Sequence, residues 1–504
     1  MAEDIQRVGV VGAGAMGRGI AHVCALAGCS VQLFDSSENA VTSAIGFVHE
    51  DLMSAVARGK LSQTAANAAL QRITAARTLE EMSGCNLVVE AIVEQLDAKQ
   101  QLLRALEAVV GPQCVLATNT SSLSVTAIAA ACTHPRRVAG WHFFNPVPRM
   151  KLVEVIRALR TDPETVRALA DLSERVGHHA IVVADSPGFV VNHAGRAFVT
   201  EGLKLLAEHA AEQEVLDAIL RTCAGFRMGP FELLDLTGLD VSVPVMESIH
   251  AQFYGDDRYR PVALARTRLL AGLLGRKSGQ GFYSYDEDGV RKATPAPSET
   301  RAHTPVLWWP TEGDAALPDP VASLLTECRR ADNAEDADVI LLAPLGRDLS
   351  STAIDLQLDP ARVVGVDPVF GSASGVTLMV CPATTPASVD AARSIFANQS
   401  IPTFVISDSP GFVAPRVVAC IVNLACEMAQ QGIASPQDID AAVRTGLGYP
   451  AGPFVWGDRL DPKRVLAILE GLYASFGDQR YRPSPWLARR ARLSLSLLTP
   501  DRSH

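Results

Sequence analysis

Short apolar runs alternate with longer stretches of helical periodicity over residues 1–184. The runs have the length of buried strands, and residues typical of turns or helix starts follow each one. This alternation predicts βαβ units built around a mainly parallel sheet, which is the α/β class. The predicted strands are residues 5–11, 30–35, 86–92, 114–117, 137–142 and 151–156, and residues 40–79 are predicted to be mainly helical.

The pattern changes at residue 185, where strands give way to long helical periodicities. These periodicities indicate an all-helical domain over residues 185–290. Residues 291–320 lie within a stretch rich in Pro, Thr and charge, which is typical of a linker. The predicted helices are residues 190–210, 212–224, 239–252 and 262–271.

The second half of the chain partly repeats the first. The run DSPGFV at residue 185 recurs at residue 408, an offset of 408 − 185 = 223, and RYRP at 258 recurs at 480, an offset of 222. These matches, with GPF at 229 and 452, predict a second helical domain over residues 408–504. Residues 337–343 and 362–368 echo 86–91 and 137–143, so residues 321–407 are predicted to be a degenerate α/β segment without a counterpart of the first strand.

Composition narrows the class of protein. A length of 504 residues suggests about three or four domains. The net charge of -10 and the pI of about 5.6 argue against a nucleic-acid-binding or anionic-membrane surface. None of the ten cysteines forms a CxxC pair, so we predict neither a metal site nor a disulfide framework. Without a signal-peptide pattern or a membrane-length apolar run, the sequence predicts a cytoplasmic protein.

A glycine-rich turn joins the first predicted strand to a predicted helix. The flanking strand and helix are the setting that GxGxxG requires, because its glycines allow a pyrophosphate to approach the helix N-terminus. Asp35 ends the next strand, where it can accept hydrogen bonds from ribose hydroxyls, and no Lys or Arg follows in residues 36–39. NAD is therefore favoured over NADP as the cofactor. The structural alternative to a dinucleotide-binding motif is a plain tight turn between a strand and a helix. The turn is Gly12, Ala13, Gly14, Ala15, Met16 and Gly17.

Two ionisable residues interrupt neighbouring apolar runs. His142 ends one run, a Pro-rich bend follows at residues 145–148, and Glu154 lies in the next run. A strand, a turn and a strand would bring the two side chains together. A carboxylate beside an imidazole fixes its tautomer and stabilises its charged form, as a general base requires. The structural alternative is a buried core histidine and a solvent-facing glutamate.

Two further groups of polar residues have both functional and structural interpretations. Residues 118–122 (TNTSS) follow a predicted strand, at the edge where open α/β sheets bind ligands, but they could also cap the next helix. Arg58 and Lys60 form a basic pair after a helical stretch. That pair could contact a phosphate-bearing part of a substrate, or it could be a solvated helix end.

Several of these motifs together resemble the L-3-hydroxyacyl-CoA dehydrogenase family. They are GAGAMG, VVEAIVEQLDAK, ATNTSSLSV, HFFNPVPRMKLVEV, DSPGFVVN and GPFELLD, and the resemblance runs from residue 7 to about residue 285. The second half is similar to long bacterial members, including those assigned to 3-hydroxyadipyl-CoA or 3-hydroxybutyryl-CoA oxidation in phenylacetate degradation. It is also similar to the dehydrogenase part of multifunctional fatty-acid-oxidation subunits.

The resemblance implies a Rossmann-type NAD-binding domain, an acyl-CoA substrate and a set of site residues. It implies that His142 is the general base and that Glu154 orients it. It implies substrate contacts for Ser121 and Asn192, and a coenzyme A contact near Arg58, where Asp51 stands in place of the Ser of some relatives. Cofactor contacts are implied for Glu94, Lys99, Ser121 and Asn145.

The second half is expected to be catalytically inactive. Asp367 aligns with His142, Pro415 aligns with Asn192, and the glycine-rich turn has no counterpart. We therefore expect the two helical copies to pack together as an intramolecular pseudo-dimer, with a further homo-oligomer left open. A non-catalytic dinucleotide-binding protein and a multifunctional enzyme with a hydratase remain as alternatives. The second is disfavoured because no hydratase-sized domain is expected.

Overall fold

The computed structural model describes residues 5–291, 304–313 and 315–501. The chain forms two compact units. The first contains Met1–His193 and Gln431–Leu447, and the second contains Ala194–Gln430 and Gly448–His504. The first unit thus includes a segment of the predicted second helical domain, and it extends beyond the predicted boundary at residue 184.

An eight-stranded sheet forms the centre of the first unit, in the order β3-β2-β1-β4-β5-β6-β7-β8. Neighbouring strands are parallel except for the antiparallel pair β6 and β7. Strand β3 lies within the stretch predicted to be helical, and only one of its three residues is buried, which gives almost no periodic signal. The strands are β1 Arg7–Val11, β2 Ser30–Phe34, β3 Ile73–Ala75, β4 Leu87–Glu90, β5 Val115–Thr118, β6 Val138–Phe143, β7 Leu152–Arg157 and β8 His179–Ala184.

Three predicted helices, residues 212–224, 239–252 and 262–271, correspond to single helices in the structure, whereas the helices at residues 163–175 and 230–237 were not predicted. One predicted helix, residues 190–210, is divided into α7 and α8 at Gly195. The helices are α1 Ala15–Leu26, α2 Glu38–Ala57, α3 Gln63–Gln71, α4 Leu96–Val109, α5 Val125–Ala129, α6 Pro163–Arg175, α7 Val191–Ala194, α8 Arg196–Ala207, α9 Gln213–Thr222, α10 Pro230–Thr237, α11 Leu239–Gln252 and α12 Ala263–Leu270.

A six-stranded sheet lies in the second unit, in the order β10-β9-β11-β12-β13-β14. Its neighbouring strands are parallel except for the antiparallel pair β12 and β13. Strand β9 lies in the stretch predicted to be a linker, whose residues 292–303 and 314 are outside the described residues. Its central residue Leu307 is fully buried, so this sheet begins before residue 321. The strands are β9 Val306–Trp308, β10 Arg329–Arg330, β11 Val339–Leu342, β12 Val363–Val366, β13 Val376–Val380 and β14 Thr403–Ser407.

Helix contacts correct the predicted alignment of β11. Asp185 accepts hydrogen bonds from the amides of Val125 and Thr126 at the start of α5, and Asp408 does the same for Leu349 and Ser350 at the start of the helix that follows β11. Strand β11 is therefore the counterpart of β5, whereas the sequence echo had matched it to β4. Strands β4 and β5 are adjacent and similarly apolar, so residue type alone did not show which of them corresponds to β11.

The later helices include one that belongs to the first unit. These helices are α13 Asp319–Ala322, α14 Leu349–Asp355, α15 Pro386–Ala397, α16 Ala414–Gln430, α17 Pro436–Gly446, α18 Pro453–Leu460, α19 Pro462–Phe476 and α20 Pro485–Leu493. Helix α17 packs against β7 and β8 in the first unit, and α16 packs against α8 in the second. Among the described residues, no helix has both the length and the apolarity needed to cross a membrane.

Candidate active site

His142 and Glu154 face each other on adjacent antiparallel strands. The register of β6 and β7 pairs the two residues directly. His142 Nδ1 lies 2.6 Å from Glu154 Oε2, and both side chains are buried. A neutral imidazole that donates its Nδ1–H to this carboxylate keeps a lone pair on Nε2. The imidazole of His142 and the carboxylate of Glu154 therefore lie side by side, as the predicted strand, turn and strand would place them.

Two backbone amides hold the other oxygen of the Glu154 carboxylate. The amides of Val190 and Val191 each donate to Glu154 Oε1 over 2.9 Å. The turn before them places Phe189 in the left-handed region, with φ of 51°, and this aims both amides at the carboxylate. Sequence reasoning missed these two donors, because backbone amides carry no residue signature. The repeated DSPGFV run was the available signal.

Aromatic rings surround the imidazole of His142. The Phe144 ring centroid lies 4.5 Å from that of His142, and the Phe189 centroid lies 5.7 Å from it. Asn119, at the end of β5, accepts a hydrogen bond from the Phe143 amide over 2.9 Å and so ties β5 to β6 beside the histidine. An apolar, largely water-excluded surrounding strengthens the interaction between imidazolium and carboxylate.

The glycine-rich turn leaves open space where a cofactor phosphate would approach. Gly12 has φ of +107°, and a Cβ at Gly17 would lie 1.7 Å from the Gly12 carbonyl oxygen, so both positions require glycine. A Cβ at Gly14, which is exposed, would meet nothing within 4 Å. Asp35 Oδ2 accepts the Ala13 amide over 2.8 Å, which brings the carboxylate next to this turn. The turn and the acid fit a dinucleotide with free ribose hydroxyls.

A buried charged network supports the loop after β5. Lys99 is 1% exposed, and its ammonium lies 2.6 Å from Glu90 Oε1 and 3.2 Å from Glu94 Oε2. Lys99 also donates to the Ile92 carbonyl over 3.4 Å, so in this structure it holds Glu90 and Glu94, and its contact with the cofactor stays a prediction. Sequence reasoning missed Glu90, although an acid inside the apolar run at residues 86–92 was a visible signal.

Glu94 in turn organises the predicted substrate-binding serine. Its Oε1 accepts hydrogen bonds from the Thr120 hydroxyl over 2.6 Å and from the Ser121 amide over 2.9 Å. Burial opposes ionisation of Glu94, but the Thr120 hydrogen bond, the Lys99 charge and the Ser121 amide together outweigh it and hold its pKa below the ordinary value. Asn192 Nδ2 donates to the Ser121 carbonyl over 3.3 Å, so these two predicted residues are adjacent.

The remaining predicted residues lie on the surface of the first unit. Arg58 follows α2 and donates to the Ser54 hydroxyl, and Lys60 is exposed two residues later. Asn145 is exposed in the bend between β6 and β7. His22 on α1 lies 3.5 Å from Asp51, and sequence reasoning did not single out this pair.

The sheet, the glycine-rich turn with its acid and the histidine–glutamate pair together define an NAD-dependent dehydrogenase. The family model for the 3-hydroxyacyl-CoA dehydrogenase NAD binding domain matches residues 7–186, and the model for the C-terminal domain of that family matches residues 188–285 and 411–495. The chain belongs to the 3-hydroxyacyl-CoA dehydrogenase family. The predicted order of an NAD-binding α/β domain followed by a helical domain is confirmed.

Relatives fall into a full-length and a half-length group. The chain is 38% identical to 3-hydroxyadipyl-CoA dehydrogenase of Escherichia coli K12, over 97% of this chain and 98% of that one. A crystal structure of 3-hydroxybutyryl-CoA dehydrogenase from Escherichia coli K12 covers 97% of this chain and 98% of its own, with 37% identity and a TM-score of 0.87. The Bacillus subtilis probable 3-hydroxybutyryl-CoA dehydrogenase is 40% identical and covers 56% of this chain and 99% of its own length.

Proposed function

We propose that the chain oxidises (3S)-3-hydroxyacyl-CoA to 3-oxoacyl-CoA, with His142 as the general base. The observation that carries this proposal is the 2.6 Å contact between His142 Nδ1 and Glu154, which leaves Nε2 to accept the proton of the substrate C3 hydroxyl. NAD⁺ supplies the hydride acceptor when bound. Glu154 keeps the imidazole in the required tautomer and stabilises its protonated form. Ser121 and Asn192 are proposed to orient the substrate oxygens.

The cofactor-binding part of this proposal rests on the glycine-rich turn and Asp35. The Gly14 position has room for close approach of a pyrophosphate, and the Asp35 carboxylate would repel a 2′-phosphate. We expect NAD(H) to be preferred over NADP(H) by about 2 kcal/mol or more, which is about 30-fold in catalytic efficiency. Steady-state kinetics with both cofactors measure this preference, and equal efficiencies would contradict it.

Acetoacetyl-CoA and NADH test the reaction directly. Loss of absorbance at the nicotinamide band is the expected result with the purified chain, and a preparation that binds NADH without consuming it would contradict the proposed activity. We extend the proposal to dicarboxylic acyl chains, because the full-length relative in E. coli is named for 3-hydroxyadipyl-CoA. Comparing 3-hydroxybutyryl-CoA with 3-hydroxyadipyl-CoA as substrates tests that extension.

We also propose that the second half is a non-catalytic packing partner and that the helical copies form an intramolecular pseudo-dimer. The second unit contains the main support, the contact between α8 and α16. Arg416 on α16 is fully buried, and its guanidinium bonds Glu201 of α8 over 3.0 Å and Glu208, the residue after α8, over 2.8 Å. Tyr481 completes the cluster, since its hydroxyl lies 2.7 Å from Arg416.

Corresponding contacts recur in both units at one offset. In the first unit the Ala184 amide donates to the Ile433 carbonyl, and in the second the Ser407 amide donates to the Ala210 carbonyl, each over 2.8 Å. The residue numbers are related by 407 − 184 = 223 and 433 − 210 = 223. This exchange of equivalent contacts is what a twofold relation between the copies would produce.

Truncation after Asp288 tests the pseudo-dimer. It removes α16 and leaves the buried carboxylate of Glu201 without its guanidinium, which costs several kcal/mol. We expect the fragment to aggregate or to associate with itself, as measured by light scattering coupled to gel filtration. A soluble monomeric fragment with the melting temperature of the full chain would rule the pseudo-dimer out.

A further inference from the structure

Helix α17 joins the active-site unit from the far end of the chain. Residues Gln431–Leu447 belong to the same compact unit as β6 and β7, and α17 packs against β7 and β8. Ile439, Ala442 and Val443 are its buried apolar residues. The unit that contains the histidine–glutamate pair is therefore built in part from the half of the chain that is proposed to be non-catalytic.

Gly446, the last residue of α17, makes a close approach to the residues that support Glu154. A Cβ at Gly446 would lie 3.0 Å from Val191 Cγ2 and 3.1 Å from Leu152 Cδ2. Val191 donates its amide to Glu154 Oε1. Leu152 lies two residues before Glu154 in β7, so its side chain projects from the same face of the sheet.

Space, and not backbone conformation, requires glycine at this position. Gly446 is absent from the residues with positive φ, so an L-residue could adopt its backbone angles. The added Cβ would meet three side-chain atoms between 3.0 and 3.2 Å, which is tighter than ordinary van der Waals contact. A larger residue must therefore displace Val191 or Leu152.

The second unit contains the equivalent contact with its residue sizes exchanged. At the offset of 223, Gly446 corresponds to Cys223, Leu152 to Gly375 and Val191 to Ala414. A Cβ at Gly375 would lie 3.1 Å from Cys223 Sγ. In the first unit the small residue, Gly446, ends the helix and the large one, Leu152, begins the strand. In the second unit the large residue, Cys223, follows the helix and the small one, Gly375, precedes the strand. Opposed small and large residues preserve the contact by exchanging volume.

We propose that Gly446 is a positioning residue of the active site, through which the second half of the chain fixes the Glu154 carboxylate. The path is short: Gly446 contacts the Val191 side chain, the Val191 amide holds Glu154 Oε1, and Glu154 Oε2 holds His142. The inference rests on the proposed roles of His142 and Glu154. It gives the second half a task in catalysis that requires no ligand site of its own.

The test is a size series at Gly446 in the full chain, with Gly446→Ala and Gly446→Val. We expect Gly446→Val to lower kcat by about 10–100-fold with KM within about threefold of the wild type, because a displacement near 1 Å is enough for such a loss. Gly446→Ala should lower kcat by only about two- to fivefold. The acidic limb of the pH–rate profile should move to lower pH in Gly446→Val, since a displaced carboxylate stabilises the imidazolium less.

Two further variants separate positioning from general damage. Thr445→Val changes an exposed neighbour on the same helix and should leave kcat and the pH–rate profile as they are. Combining Gly446→Val with Val191→Ala gives position 191 the residue that the second unit has at Ala414, makes room for the larger side chain and should restore most of the lost kcat. Val191 amide exchange, followed by NMR or mass spectrometry, should rise in Gly446→Val and fall again in the double variant.

Several outcomes would overturn the positioning role. One is a Gly446→Val variant with the kcat and the pH–rate profile of the wild type. Another is a loss of kcat that is fully explained by a smaller folded fraction, as measured by thermal melting. If Gly446→Val does not fold, the same readouts on Gly446→Ala decide. An inactive wild-type chain would instead contradict the proposed function, and therefore the two failures are distinguishable.

Discussion

The register positions of the histidine–glutamate pair hold different residues in the two sheets. In the first, β6 and β7 pair His142 with Glu154, and in the second the Asp367 amide donates to the Thr377 carbonyl at the corresponding position, just after β12. Both sheets keep the antiparallel pair of strands, and both keep the left-handed turn after DSPG, with φ of 51° at Phe189 and 57° at Phe412. The second sheet thus keeps the backbone arrangement of the first but has neither the histidine nor the glutamate at these positions. The proposed activity requires these two side chains in addition to the architecture.

The second sheet also differs in what covers its ligand edge. A Cβ at Gly346, which follows β11, would lie 2.8 Å from the Ile468 Cα, and a Cβ at Gly471 would lie 2.7 Å from the Gly346 carbonyl. Both contacts are with α19, and Arg464 of the same helix donates to the Pro368 carbonyl over 2.7 Å. Where two glycines pack backbone against backbone, an acyl chain or a nicotinamide has no room.

The largest expected effect is at His142. His142→Gln removes the proton acceptor and should lower kcat by about 10²–10⁴-fold while NADH binding stays nearly intact. Stopped-flow reduction of acetoacetyl-CoA and a fluorescence titration with NADH measure the two quantities. The matched control, Asp367→Asn in the second sheet, should keep full activity. Near-normal turnover in His142→Gln would mean that another group is the base.

An intermediate effect is expected at Glu154. Its carboxylate accepts three donors, whereas the amide of Glu154→Gln would direct its NH₂ group either at His142 or at the amides of Val190 and Val191. We expect kcat to fall by about 10–100-fold and the acidic limb of the pH–rate profile to move to lower pH. Thr377→Val is the control at the corresponding position. A pH–rate profile that does not move would make Glu154 structural only.

The smallest expected effect is a gain of stability in the second sheet. Burial raises the pKa of Asp367 from its ordinary value to about 6, against the opposing hydrogen bonds from the Val369 and Phe370 amides. Because the folded pKa exceeds the unfolded one, ionisation destabilises the fold as pH rises above about 4, and the full cost is present above about 6. Asp367→Asn should therefore raise stability at pH 7.5 by about 1–3 kcal/mol and change little at pH 4.

Urea unfolding of the wild type and Asp367→Asn at the two pH values measures this gain. The Asp367 side chain faces Arg464, which lowers its pKa, and the nearby Cys223 thiol, whose own pKa burial raises to about 12. Cys223 therefore stays neutral over this range. An equal stability difference at pH 4 and pH 7.5 would show that the asparagine acts through packing and not through the lost charge.

Sequence patterns predicted the elements whose signal is local. The two strands that carry His142 and Glu154, the glycine-rich turn and the four predicted helical stretches of the first helical domain came from periodicity and turn chemistry within each segment. Predicted helix 239–252 matches α11 at both ends. The adjacency of His142 and Glu154 followed because one short bend joins their strands, so the register had little freedom.

What the sequence did not reveal depends on residues distant in the chain. The contact of Gly446 with Val191 spans 255 residues, and no local pattern encodes it. Strand β9 has three residues and lies beside charged and Pro-rich sequence, so its burial comes from the sheet and not from its own periodicity. The buried ion pair between Lys99 and Glu90, 2.6 Å apart, was not predicted, because no periodic pattern links the end of β4 to a lysine on α4.

The segment Gln431–Leu447, which belongs to the first unit, also sets an order of events on the ribosome. Strand β8 is the edge of the first sheet, and the carbonyl that meets its Ala184 amide belongs to Ile433, which is 433 − 184 = 249 residues later. At about 5–20 residues per second, that partner emerges about 12–50 s after the strand does. During this interval the nascent chain carries an open sheet edge, which is a template for mispairing with neighbouring chains. Ile433 is therefore synthesised only after every described strand of both sheets.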